Sequence, residues 1–441
     1  MFKVFNYNFL STNFFFLILL ILVPISFIIG PFFINFISSL IILVFIAFNF
    51  RKINLELLKD KSVIACVAFC IYLILNSVLL NTEYSSKLHA ITFGRFILFS
   101  FAILFFLKKI KGKLIWISFW FFAISLFVSL DIIYQFIFQK DLFGYLPGMC
   151  TYSNSLMDNC QRYAGVFGDE YIAGNFLATF GILSFFLVLK NFNKSLLGKI
   201  ISYLVFFIIF ISIVLSGERS SLIIFFGILI LNIIFNKDVR NYLSIIILIS
   251  IIALILSAIT IPHVKHRLYS WPKTLLFSPN LESETLLKKA IYTPWGTLYL
   301  SGYEIFVKNP FFGKGFKSFR KACTENDIDE INKKYNLNLN KETTSLCTTH
   351  PHNIYIELLA EVGIVGLIFF LIMIYYLFIP SFIKNYSRLE RKDMTWIVFF
   401  IFLLIITPFK PTGSISASVY GTSIWFFIGF YLYFVRNFKN K

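Results

Sequence analysis

NYLSIIILISIIALILSAITI, residues 241–261, carries no charged side chain. A helix rises about 1.5 Å per residue and the bilayer's hydrocarbon layer is about 30 Å thick, so roughly 20 such residues cross it. The run therefore reads as a membrane-spanning helix. Its flank orients it, because Lys237 and Arg240 precede it and basic residues collect on the cytoplasmic side.

Eleven further runs are predominantly apolar and of comparable length, at 14–29, 32–48, 62–80, 91–107, 114–138, 170–189, 197–216, 220–235, 354–378, 395–409 and 416–435. Across 441 residues the chain is 58% hydrophobic and 14% charged, with a mean hydropathy of +0.80, which excludes water as its main solvent. The expectation is an all-α polytopic membrane protein of about twelve spans. Gly30-Pro31 and Gly217-Glu218-Arg219 leave room only for tight hairpins between their spans. The first run lacks a small-residue cleavage pattern and reads as a retained helix.

A net charge of +18 would suit a nucleic-acid partner if the cations shared a surface. They instead fill alternate loops: Arg51, Lys52, Lys59 and Lys61; Lys108, Lys109, Lys111 and Lys113; Lys190 and Lys194; Lys237 and Arg240; Lys384, Arg388, Arg391 and Lys392; and the tail from Arg436. This is the positive-inside pattern, so the expected partners are membrane lipids and not nucleic acid, with both termini cytoplasmic. Three parts follow: residues 1–261, with nine spans and an outer loop at 139–169; a large outer loop at 262–352; and residues 353–441, with three spans. Within the large loop, 296–308 is expected to form an amphipathic helix lying on the membrane, and the polar stretch 324–345 a mobile excursion.

Each outer segment has its own cysteine pair, Cys150 with Cys160 and Cys323 with Cys347, and both are disulfide candidates in an oxidising compartment. Cys66 and Cys70 lie within a span, where a thiol acts as a small apolar group.

Charges at span ends cost roughly 2.5–3.5 kcal/mol each on insertion scales, so those present call for a reason. Arg95, Arg162, Arg219 and Lys410 all fall on the outer side. Singly, each can snorkel to headgroups or pair with a neighbour such as Glu218. As a set, guanidinium groups on one face suit a diphosphate, whose oxygens match their planar donor fork.

The most informative string is CTTHPHNIYIELLAEVGIVGLIFF, residues 347–370, where the large loop enters a span. Pro351 fits the first helical position, which would place His352 and Asn353 in the first turn, at the positive end of the helix dipole. There an imidazole stays neutral and basic, and free backbone N–H groups attract anions. Asn353, Glu357 and Glu361 recur on one helix face, and Gly363 and Gly366 permit close packing. A helix cap with a structural carboxylate is the competing reading. Asp131, inside the fifth span, is the best candidate for a transporter's midplane charge.

HPHNIYIELLAEVGIVGLIFF, from His350, resembles the signature entering a late span of the O-antigen ligase and O-antigen polymerase superfamily. NPFFGKGFKSFRKAC, from Asn309, is similar to that superfamily's Pro-x-x-Gly-x-Gly stretch, and QRYAGVFGDEYIAGNFLA, from Gln161, and SGERSSLI, from Ser216, resemble its upstream Arg-containing motifs. The resemblance implies a GT-C-like inverting glycosyltransferase of a bacterial inner membrane, working on the periplasmic face without metal, cofactor or nucleotide sugar. Its donor would be an undecaprenyl-diphosphate-linked glycan. Its acceptor would be lipid A core, as in O-antigen ligation for lipopolysaccharide biosynthesis, or a growing glycan, as in polymerisation. A glycan transporter or flippase is the alternative of another class. The match implies His352 as catalytic base, with His350, Asn353, Glu357 and Glu361 in support, and Arg162, Arg219 and Arg95 on the diphosphate. Many relatives carry another Arg before the Pro-x-x-Gly stretch, where this chain reads TPWGTLYLSGYEIF; Arg267, Arg320 and His350 are the possible substitutes.

Overall fold

In a bilayer every backbone polar group must find its partner inside the protein, which leaves the long apolar runs no alternative to helix. The computed structural model describes residues 12–49, 60–80, 82–110, 113–152, 155–192, 196–237, 239–270, 272–273, 285–342, 344–389 and 393–436. The expectations that rest on Arg51, Lys52, Lys59, Lys111, Lys194, Arg391, Lys392 and the tail past Arg436 fall outside these residues, as do the side chains of Cys150 and Cys160.

The first helices are α1 (Thr12–Ile29), α2 (Pro31–Asn49), α3 (Lys61–Leu79), α4 (Tyr84–Thr92), α5 (Gly94–Lys109) and α6 (Leu114–Phe138). An antiparallel hairpin follows, β1 (Gly148–Tyr152) with β2 (Ser155–Arg162), bulged between Met149 and Thr151. Then come α7 (Ala173–Phe176), a π-helical turn at Leu177–Gly181, α8 (Ile182–Phe192), α9 (Leu196–Leu215), α10 (Arg219–Phe235), α11 (Arg240–Thr260) and α12 (Pro262–Lys265). The large loop contributes α13 (Leu286–Ile291), α14 (Pro294–Lys308), α15 (Phe319–Ala322) and α16 (Ile328–Tyr335). The chain returns to the bundle through α17 (Ile354–Leu389), α18 (Asp393–Ile405) and α19 (Ser418–Arg436).

Among the described residues, ten helical segments are long and apolar enough to cross a membrane, with α4 and α5 acting as one, and α10 and the Met394–Ile405 stretch are shorter apolar helices. Together they coincide with the twelve expected runs, and the protein is an all-α polytopic membrane protein.

Helix association in lipid relies on close approach and dispersion contacts. Where α19 crosses α5, a Cβ on Gly429 would stand 2.7 Å from Ser100 O, and one on Gly421 would stand 2.8 Å from the Phe96 ring. Interlocked rings fill the centre, with Phe180 at 5.0 Å from Phe426 and 5.0 Å from Phe176. By contrast, α11 leaves Ile245, Leu248, Ile252, Ile255 and Ile259 exposed, as a lipid-facing helix should.

One span is broken. At Gly363 the backbone of α17 takes φ 67° and ψ −173°, outside helical geometry, and the stretch 309–316 fills the gap. Ile364 N donates to Pro310 O (2.9 Å) and Val365 N to Phe311 O (3.2 Å). In the other direction, Lys314 N donates to Ala360 O (3.0 Å), Gly315 N to Glu361 O (2.7 Å) and the Tyr72 hydroxyl to Val362 O (2.6 Å). Asn76 of α3 brackets the insert, donating to Phe312 O (2.7 Å) and accepting from Phe316 N (3.1 Å). Irregular backbone at a span is tolerable only with such replacement partners. The glycines of the Pro-x-x-Gly-x-Gly stretch are required sterically: Gly313 and Gly315 have positive φ, and a Cβ on Gly313 would meet the Glu361 carbonyl carbon at 2.4 Å.

Two expectations for the large loop are corrected. The 296–308 helix exists, capped by Thr293, whose hydroxyl accepts from Gly296 N (3.0 Å), but it buries its face on protein, with Gly302 against Ile356 of α17. The 324–345 stretch is folded. It forms α16, packs Ile331, Leu337, Leu339 and Leu346 under Leu300, and sets Lys334 Nζ 2.9 Å from Glu304, to which Tyr335 also donates. A Cys323–Cys347 disulfide ties its ends, as expected from their pairing in one segment.

Candidate functional site

Two polar groups form at the end of the bundle that carries the hairpin and the large loop. The first is cationic. Arg162 ends β2, Arg219 begins α10, and Arg267 sits in the π-helical turn after α12. Gly217, with φ +68°, lets the α9–α10 turn meet both neighbours: its carbonyl accepts from Arg267 Nε (2.9 Å), and its Cα faces Gln161 O. Burial, then Arg162 and Arg219, pull Arg267 down to about 10, so it remains a cation at neutral pH. The Arg162 guanidinium stacks 4.0 Å from the Tyr171 ring centre, and its buried Nε has no hydrogen bond among the described residues.

Glu218 is the carboxylate beside these arginines, and its bonds aim it elsewhere. It accepts from Gly174 N (2.9 Å), Asn175 Nδ2 (3.0 Å) and Ser221 Oγ (3.0 Å), holding the start of α7. Gly174 makes this possible, since a Cβ there would stand 2.5 Å from Ser216 Oγ. Three guanidiniums gathered beside the Glu218 carboxylate make a cationic cluster suited to an anion.

The second group surrounds His352, and here one expectation changes. Asn353, not Pro351, opens the helix: its Oδ1 accepts from Tyr355 N (3.0 Å) and Ile356 N (3.3 Å), in accord with the strong preference of Asn for N-caps. His352 therefore precedes the first turn and takes a left-handed backbone, φ +54°. Its carbonyl accepts from Thr412 N (2.8 Å) and the Tyr299 hydroxyl (3.3 Å), which fixes this conformation. The ring lies between Trp295, at 4.5 Å, and His350, at 4.1 Å. Burial and then His350 hold the His352 imidazole down at about 4, neutral and able to accept a proton.

Glu357 and Glu361 share a helix face as expected, and both are fully engaged with loops. Glu361 accepts from Lys317 N (2.7 Å) and Phe319 N (3.2 Å). Glu357 accepts from the Ser414 hydroxyl and from Ile415 N (3.2 Å), and lies 3.9 Å from Lys317 Nζ. Lys317 also donates to Ser414 Oγ (2.9 Å), so one lysine joins the large loop, α17 and the 406–417 loop.

Arg95 is placed apart from the other arginines. Its guanidinium stands 4.8 Å from the Phe96 ring centre, and it shares the electrostatic surroundings of His89 with Lys317. Asp131 accepts from Leu142 N (3.0 Å) and so ties down the outer loop. Of the possible substitutes for the missing arginine, Arg267 enters the cationic pocket, while Arg320 is exposed. The sequence reading did not single out Lys317, Trp295, Tyr299 or Ser414, and their only signal was proximity to the quoted motifs.

No curated protein matches the chain. Residues 204–371 match the model of a family described as O-antigen ligase, a stretch that contains Arg219, Arg267, the Pro310–Gly315 insert and His352. That stretch is similar to the O-antigen ligase superfamily, and the chain that carries it is an all-α polytopic membrane protein.

Proposed function

We propose that the protein transfers a glycan from an undecaprenyl-diphosphate carrier to an acceptor hydroxyl, most simply lipid A core, in a bacterial inner membrane with the site facing the periplasm. The observation that carries the reading is the convergence of Arg162, Arg219 and Arg267 at the end of the bundle that also presents the neutral imidazole of His352. In this reading the guanidiniums hold the diphosphate and stabilise the charge it gains on leaving. His352 takes the proton of the attacking hydroxyl. The oxygen then bonds to the anomeric carbon as the bond to the diphosphate breaks, with inversion. No resident metal or cofactor is invoked, since fixed cations supply the positive field. Lys61, Lys108, Lys109, Lys113, Lys190, Lys237, Arg240 and Arg436 mark the opposite end, which supports cytoplasmic termini.

Polymerisation uses the same donor chemistry and is the second reading. Purified protein given a polyprenyl-diphosphate glycan tests the shared chemistry: His352→Ala should abolish transfer, and undiminished transfer by that variant would remove the base. Deleting the gene separates the readings, because carrier-bound long glycan marks a ligase and glycan capped at one repeat marks a polymerase.

A further inference from the structure

The 406–417 loop between α18 and α19 inverts the usual placement of its side chains. Phe409 is 90% exposed, whereas the adjacent Lys410 is 5% exposed. Among the described residues the Lys410 ammonium donates one long hydrogen bond, 3.4 Å to Pro411 O, and no carboxylate pairs with it. A buried ammonium so poorly compensated is an unmet electrostatic demand.

The location of that demand is specific. Asn353 Nδ2 donates to Pro408 O (3.0 Å), Thr412 N donates to His352 O (2.8 Å), and Ile354 N donates to Thr412 Oγ1 (2.9 Å). Lys410 is the midpoint of an arch whose two ends are both fastened to residues 352–354. At about 3.8 Å per Cα step, its backbone lies within about 8 Å of either anchor. Burial disfavours the charge on its ammonium, and no arginine acts on it as Arg162 and Arg219 act on Arg267. Its chemistry differs as well: an ammonium is a compact point charge suited to a single oxyanion, while guanidinium forks suit the paired oxygens of a diphosphate.

We infer that Lys410 binds an oxyanion, a carboxylate or phosphate, carried by the acceptor, and so orients the acceptor hydroxyl toward His352. The inference rests on the proposed transfer reaction. It makes the acceptor an acidic glycolipid and assigns donor and acceptor to separate cationic groups.

The test uses the full-length protein in nanodiscs, with a polyprenyl-diphosphate glycan as donor. The acceptor is glycolipid extracted from the source cell envelope, supplied native, carboxyl-reduced or dephosphorylated. For Lys410→Met, acceptor KM should rise roughly 10- to 100-fold, the worth of a charge-assisted hydrogen bond, with donor KM and kcat nearly unchanged. The chemically neutralised acceptor that loses affinity for the parent identifies the anion, and Lys410→Met should no longer distinguish it from native acceptor. Lys410→Arg keeps the charge and should retain part of the affinity; a thermal midpoint at or above that of the parent shows that Lys410→Met is folded. An unchanged acceptor KM in both variants, or a rise in donor KM alone, overturns the assignment. If the parent transfers nothing, the proposed function fails, and the role of Lys410 fails with it; if the parent transfers and Lys410→Met equals it, only the role of Lys410 fails.

Discussion

Gly315 N donates to Glu361 O at 2.7 Å, so a loop residue occupies the hydrogen-bonding position that the next turn of a broken membrane helix would have filled. The same helix carries Asn353 and, one residue ahead of it, His352, so the loop and the site share one support.

Gly363→Ala should therefore be severely destabilising. The conformation is open to glycine alone, and a Cβ would stand 2.2 Å from Phe311 O. Backbone strain alone costs about 1–3 kcal/mol. A lowered thermal midpoint in detergent, with loss of folded yield, checks this; a parent-like midpoint would show that the break is not required.

The pH profile of transfer should lack the usual histidine midpoint. His352 is held at about 4, below the ordinary 6.5, so it remains neutral and competent as pH falls from 8 to 5, and the rate should drop only on an acid limb near 4. The stability sign is consistent: between about 4 and 6.5 the unfolded chain binds the proton and the folded chain does not, so stability declines as pH falls through that window. Initial rates against pH decide, and a midpoint at 6.5 would contradict the buried setting.

Arg267→Ala should weaken donor binding by roughly 10- to 100-fold, the range for a lost charge-assisted hydrogen bond, and should affect acceptor KM little. Arg267→Lys should restore the charge but not the Nε bond to Gly217 O, leaving an intermediate phenotype. Separate donor and acceptor titrations measure both. An unchanged donor KM in both variants would remove Arg267 from the pocket's function.

Reducing the Cys323–Cys347 bond should release the folded excursion without unfolding the spans. The bridge closes a separation of 24 residues, worth about 3 kcal/mol in the chain-entropy model. Limited proteolysis should then cut within 324–346, while far-ultraviolet helicity persists; resistance to cleavage would show that the Glu304 cluster suffices.

Much of the fold was legible because span length and basic loops are properties of local sequence. The break at Gly363 was not, since its apolar run continues unbroken and only a distant loop explains it. The 324–345 stretch looked mobile by composition, yet Ile331, Leu337, Leu339 and Leu346 find a partner surface on α14. For the candidate site, the quoted motifs contained His352, Arg162 and Arg219, and the shared helix face of Glu357 and Glu361 was legible from their spacing. What those carboxylates hold was hidden, because Lys317, Phe319, Ser414 and Ile415 come from two loops remote in sequence.

The interrupted helix also links segments far apart in the sequence. The carbonyls of Ala360 and Glu361 and the N–H groups of Ile364 and Val365 are bonded to the 309–316 stretch in the folded protein. Each such group left unbonded costs several kcal/mol in hydrocarbon. The span is therefore satisfied in lipid when the 309–316 stretch is seated beside Tyr72 and Asn76 of α3. Seating of residues 309–316 thus couples the packing of residues 352–361 to that of α3.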